Sequence, residues 1–147
     1  MADLRELDRR MLAYKRAIPQ AASDLAASVA RVVHKDLVVT TPVDVSTAVS
    51  NWQLTLEPVL NISIPAYIPG SEGSTHDDSA QMALLQGEQQ LEQKKPGMPI
   101  YLTNNLPYIR RLNDGYSKQT PAGFVERAEL LGRKTAERLG LQLDKYV

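Results

Sequence analysis

The sequence predicts an α+β domain: N-terminal helices, a small and mainly antiparallel sheet, and a middle helix and a C-terminal amphipathic helix packed on that sheet. Three observations carry the prediction. Near both ends of the chain, apolar residues recur every three or four positions, the period of one helical face. Over residues 51–65 and 98–104 the spacing shortens toward two, the period of a strand. Between these runs, PAYIPGSEGST (65–75) holds two prolines, two glycines and two serines, which marks a loop. With 147 residues the chain fits one domain, divided into a helical N-terminal arm (1–37) and an α+β core (38–140).

The first helix carries Leu4, Leu7, Met11, Tyr14 and Ile18 on one stripe. Asp3, Glu6 and Asp8 lie near its start and Lys15 and Arg16 near its end, as the helix dipole favours. Pro19 lacks a backbone donor, so the helix is expected to end or kink there. AASDLAASVARVVHKDL follows as a second helix with Leu25, Val29, Val32 and Val33 on its stripe. The pair reads as a kinked helical hairpin or one long bent helix, too short in pattern for a sustained coiled coil. VVTTPVD (38–44) breaks the period, because Pro42 favours an extended residue before it. Asp44, Ser46 and Thr47 can bond nearby donors and cap a short turn.

From Asn51 the pattern becomes a strand, with Trp52, Leu54, Leu60, Ile62 and Ile64 alternating around a break or edge bulge at Pro58. HDDSAQMALLQGEQQLEQ reads as a helix, with Ser74, Thr75 or Asp77 as its cap and Met82, Leu85 and Leu91 on one side. MPIYLTNN is a short strand with Ile100 and Leu102 on one face. LPYIRRLNDGYSKQTPAG gives a short helix and then a turn, where Asn113-Asp114-Gly115 favours left-handed backbone. The last helix, FVERAELLGRKTAERLGLQL, places Phe124, Ala128, Leu131, Thr135 and Leu139 on one face and stops at Gly140.

Composition excludes several classes. Hydrophobic residues are 43% and charged residues 23%, the balance of a globular chain. Cysteine is absent, which removes disulfides, thiolate metal sites and cysteine nucleophiles. No apolar run approaches the roughly 20 residues of a membrane span, and MADLRELDRR is too charged for a signal peptide. Net charge is zero, whereas a general nucleic-acid binder carries a basic excess. The charge is uneven: seven basic against five acidic residues in 1–40, two against seven in 41–97, and eight against five in 98–147. Alternating patches of this kind suit a subunit that meets its own neighbours.

Catalytic and metal chemistry find little footing. His34 lies in the polar run His34-Lys35-Asp36 and reads as a solvated histidine at a helix end. His76, Asp77 and Asp78 are consecutive, so a helix would point them apart, and an acid-rich helix start explains them. No G-x-S-x-G appears, and Gly70-Ser71-Glu72-Gly73 lacks the Gly-Lys-Ser/Thr of a phosphate loop. The expectation is a protein that is not an enzyme and needs no cofactor or metal. Tyr108-Ile109-Arg110-Arg111 and Tyr116-Ser117-Lys118 mix aromatic and basic residues, as both interfaces and single-strand binders do. Zero net charge favours the interface.

Two stretches are more specific. One is TTPVDVSTAVSNWQ, with Thr41, Pro42, Val43, Asp44, Ser50 and Trp52. The other is IYLTNNLPYIRRLNDGYSKQTPAGFVERA. It contains Tyr101, Thr103, Asn104, Pro107, Tyr108, Leu112, Asn113, Gly115, Ser117, Gln119, Pro121, Gly123 and Phe124. Together they resemble the tail-completion (neck) proteins of long-tailed bacteriophages, the putative tail-component family. The chain departs from that pattern at Val45-Ser46, where the family has Thr-Gly, and it lacks an arginine common before the Trp. Loss of the glycine predicts a slightly different turn.

The resemblance implies a virion structural protein at the head–tail junction, present in the host cytoplasm during assembly. It implies a homo-oligomeric ring, a hexamer, around the DNA channel. One face would meet a head-completion or connector protein and the other the tail terminator or tube protein. DNA would pass without specific binding, and no membrane is involved. The motif residues would build a rigid corner between sheet and last helix. Arg110, Arg111 and Arg127 are candidate subunit contacts, and loops 65–76 and 93–99 would adapt to partners. The alternatives are a tail terminator capping the tube, or a small nucleic-acid-binding module using Arg110, Arg111 and Lys118.

Overall fold

The computed structural model describes residues 3–56, 59 and 61–147. The element order is α1 (Leu4–Thr40), α2 (Thr47–Ser50), β1 (Gln53–Thr55), α3 (His76–Leu91), β2 (Tyr101–Thr103), α4 (Ile109–Asn113) and α5 (Phe124–Leu139), followed by a 3₁₀ turn (Leu143–Tyr146). The architecture is α+β, with β1 and β2 antiparallel and Leu54 opposite Leu102. No helix among the described residues is long and apolar enough to cross a membrane.

α1 begins at Asp3, whose carboxylate accepts from Arg5 N at 3.0 Å and caps the first turn. It runs unbroken through Pro19, so there is neither a helix end nor a hairpin at that position. The proline removes one backbone bond, but Pro19 and Lys15, the residue whose carbonyl is freed, are both exposed to water. Ala17 and Ala21, on either side of it, are buried and hold the helix in line. The helix also continues through residues 38–40, with Val38 fully buried, and only beyond them does the chain turn. From Ala17 onward α1 thus belongs to the core, and residues 4–16 project from it.

α5 packs along α1, closely enough that a Cβ on Gly132 would lie 2.6 Å from a methyl of Val33. The main core gathers Leu37, Val38, Val43, Val49, Trp52, Ala83, Phe124 and Ala128. A second cluster joins Ala27, Ala30, Leu54 and Leu91, with Ile100 and Leu102 against it. Leu131, expected on the buried face of α5, is 38% exposed, and Gly132 takes its place against α1. α3 also turns a different face inward. Ser79, Ala80, Ala83, Gly87 and Leu91 are buried, whereas Met82 and Leu85 face solvent. The small residues win that face because α3 lies close against α1 and β1.

The sheet is shorter than its alternation predicts. Trp52 is buried but sits one residue before β1, and residues 61–64 are not strand. The returning chain is held by side-chain amides in place of a ladder. Asn51 donates to Ile64 O (2.7 Å) and accepts from Ile64 N (2.8 Å), and Gln53 Nε2 donates to Ile62 O (3.2 Å). Pro58 and Leu60, expected at a bulge and on the strand, lie outside the described residues.

Candidate functional site

The two sequence stretches that stand out fold onto one another and form a corner where α1, β1, α4 and α5 meet. Gln119 makes the direct join. Its Oε1 accepts from Val43 N at 2.8 Å and its Nε2 donates to Val43 O at 2.9 Å, a side-chain copy of a strand bridge. Ser117 supports that loop by accepting from Gln119 N. Thr120 donates to Thr40 O at 2.6 Å, satisfying a carbonyl at the end of α1. Asn104 reaches from beyond β2 to Ala48 O (2.9 Å).

Trp52 anchors the corner from below. Its indole N–H donates to Thr41 Oγ1 at 2.7 Å, and the Thr41 hydroxyl in turn donates to Leu37 O. Buried indoles need such a partner, and buried Thr41, just before the buried Pro42, supplies it. Tyr101 is half-buried and pairs with Thr55, while Thr103 keeps its hydroxyl buried without a hydrogen-bond partner.

Asn113 performs the cap that α5 cannot make for itself. The N-cap position is Gly123, at φ 83°, which has no side chain to offer. Asn113 Oδ1 accepts from Val125 N (2.9 Å), its Nδ2 donates to Glu126, and its carbonyl accepts from Gly123 N (2.7 Å). The hydrogen bonds from Asn113 Nδ2 hold the Glu126 carboxyl below its ordinary pKa. Gly115 takes φ 90° in the turn after α4 and brings it within reach of Ala122. Pro107 and Pro121 precede α4 and α5 by two and three residues and limit the backbone entering each. Phe124 opens α5 fully buried.

Asp44 has a different task. Its carboxylate accepts from Glu72 N (2.8 Å) and its carbonyl from Gly73 N (2.9 Å), which fastens the 65–75 loop to the corner. Ser46 sits at φ 67°, the left-handed region that glycine occupies without cost. Buried Ser46 bonds Thr75, whose hydroxyl donates to Ile68 O. Thr75 precedes α3 but makes no side-chain cap bond, since its hydroxyl serves this loop.

The outer surface of the corner is polar and aromatic. Arg110 and Arg111 are exposed on α4, and the Arg111 guanidinium lies 5.6 Å from the centre of the exposed Tyr116 ring. Arg127 is bound within its own chain, donating to Ala122 O (2.7 Å) and Pro121 O (3.1 Å). An open hollow of about 270 Å³ lies between residues 42–48 and Tyr108, Leu112, Ser117 and Gln119. Partial burial raises the Tyr108 phenol above its ordinary pKa.

His34 is not the solvated residue expected from its polar neighbours. It is 2% exposed, and Nε2 lies 2.9 Å from Trp52 O. A carbonyl only accepts, so Nε2 carries the hydrogen. Nδ1 faces Gly87, where an added Cβ would approach to 2.6 Å. Burial lowers the His34 pKa, with the bond to Trp52 and the charge of Glu88 opposing. His76 bonds Asp77 at 3.0 Å, and no group of three or more His, Asp or Glu among the described residues is placed to hold a metal.

Sequence reasoning also missed Gln86, whose amide closes the outer edge of β1 by accepting from Leu54 N (3.3 Å) and donating to Leu54 O (2.8 Å). Asn51, Gln86 and Gln119 each clamp both backbone groups of one distant residue. No local signal marks such pairs. In comparisons with family models, curated proteins and solved structures, the chain matched none.

Proposed function

We propose that this chain is a virion structural subunit at the head–tail junction of a long-tailed bacteriophage, a tail-completion or neck protein. It assembles into a ring, a hexamer, and joins the capsid connector or head-completion protein to the tail terminator or tube. Duplex DNA passes through without specific binding.

The observation that carries the reading is the clamp between Gln119 and Val43. It ties together the two stretches that resemble the family, and the residues around it serve geometry instead of chemistry. Asn113, Gly115, Gly123 and Asp44 cap, turn or fasten backbone. A rigid corner with an exposed Arg and Tyr surface is what a subunit needs to hold a neighbour at a fixed angle. Arg110 and Arg111 are the contacts offered to that neighbour, since Arg127 is engaged in its own loop.

Removing the chain from virus-producing cells is expected to leave filled heads and finished tails apart, and adding purified protein is expected to join them. Joined particles formed without it would contradict the reading, and co-purification with headless tails would make it a tail terminator. The stacked Arg111 and Tyr116 favour one other reading, a nucleic-acid module that also uses Arg110 and Lys118. A gel shift that weakens steeply with salt would establish it.

A further inference from the structure

Apart from Tyr14, half-buried with its hydroxyl donating to Asp144 (2.9 Å), the first four turns of α1 carry an apolar stripe left open to solvent. Leu4 is 80% exposed and Met11 62%, with Leu7 and Ile18 also open. The same helical face continues, at spacings of three and four, into Ala22, Leu25, Val29 and Val33. There it forms the floor of an open apolar groove of about 540 Å³, walled by Ile100 and Leu102 on one side and Ala136 on the other.

We infer that the N-terminal stripe of α1, from Leu4 on the projecting arm to exposed Ile18 at its base, lies in this groove on a second copy. The arm cannot fill the groove of its own chain, because both are parts of one continuous helix. Their lengths agree: the stripe runs about 21 Å from Leu4 to Ile18 and the groove floor about 17 Å from Ala22 to Val33, at 1.5 Å per residue. The area argues for a second copy over a foreign helix. A foreign helix would fill the groove and leave the stripe in water, whereas a second copy covers both. In each contact one copy brings the 15 residues 4–18 and its neighbour the eleven that line the groove, fewer than the roughly 20–30 a side of a standard interface, and a copy reaches that range only by making two contacts, one through each surface. The arm bears five basic and three acidic residues in 3–18, so its outward flanks remain hydrated while the stripe docks. Arm and groove are different surfaces, so copies that engage them in series make a heterologous contact that propagates, whereas two copies that exchange arms reciprocally close as a pair. The inference rests on the ring reading only for closure of that series.

The test uses the full chain, native mass measurement and crosslinking. The chain has no cysteine, so introduced thiols report without background. A mixture of Met11→Cys and Ala26→Cys proteins, treated with a short bis-maleimide, is expected to give a crosslinked pair holding one of each. The double variant Leu7→Asp with Met11→Asp is expected to fall from closed oligomer to monomer, with association weakened at least a hundredfold and an unchanged helical spectrum. If the double variant keeps the wild-type mass and no mixed crosslink forms, arm docking is overturned and the ring stands. If the mixed crosslink forms in a particle of two reciprocal copies or an open fibre, docking stands and the ring reading fails. A wild-type chain that stays monomeric at every concentration, or whose groove takes only a foreign amphipathic helix, overturns the inference.

Discussion

The corner around Gln119 and the N-terminal arm of α1 are built on opposite terms. In the corner, aromatic bulk is buried and polar side chains close onto backbone groups up to 80 residues away, as Thr120 does on Thr40. In the arm, backbone bonds lie within the helix apart from the Lys15 carbonyl that Pro19 leaves to water, yet Leu4, Leu7, Met11 and Ile18 remain exposed. Order in the corner is complete within one chain. The apolar face of the arm can be buried only by something outside it, and an isolated helical stretch of this length is marginal in water. The contrast separates what folds the subunit from what assembles it.

Substitutions can break that contrast at either end. The largest effect is expected from Trp52→Ala, at about 3–5 kcal/mol in denaturant unfolding, because a buried ring is lost and Thr41 loses its donor. A cost below about 1 kcal/mol would mean that the corner does not depend on this anchor. Gly115→Val follows, at roughly 1–3 kcal/mol, since a β-branched residue at φ 90° is strained and its Cβ would meet Ala122 at 3.1 Å. Unchanged thermal stability would show that the turn adapts. Gln119→Ala is expected to cost about 1–2 kcal/mol by removing both clamp bonds from the buried Val43.

Acid sharpens the comparison without a large substitution. Burial lowers the folded pKa of His34, so below about 6.5, the ordinary histidine value, the unfolded chain binds a proton that the folded chain resists. Stability is therefore full above that pH and falls as pH drops through it toward the folded value. His34→Gln should flatten this slope in melts taken between pH 7 and 5, and an equal slope in both proteins would count against a neutral buried imidazole. The smallest change in subunit stability, within about 0.5 kcal/mol, is expected for Leu7→Asp with Met11→Asp, two exposed positions.

Much of the fold was legible in local pattern. The apolar period located α3 and α5, and Asn113-Asp114-Gly115 marked a real left-handed turn. What local pattern could not show was which face wins. Met82 and Leu85 are larger than Ala80, Ala83 and Gly87, but close approach to α1 and β1 selected the small residues, with Leu91 at the end of the helix, for the buried face. His34 reads as polar among Lys35 and Asp36, yet a helix points adjacent residues apart, and His34 faces Trp52. The motif residues of the corner were legible as turns and caps. Their partners were not, because Gln119 and Val43 are 76 positions apart and pairing at that range leaves no periodicity.

Hydrogen exchange at two protein concentrations tests the contrast most directly. At high dilution, amides of residues 5–18 are expected to exchange quickly, while those of Val43, Gly123 and Val125, held in the corner, open only with global unfolding. At concentrations where the chain assembles, arm amides are expected to slow by at least tenfold and corner amides to stay as they were. An arm already protected at high dilution, or a corner protected only on assembly, would contradict the division between a self-sufficient corner and an arm completed by a second copy.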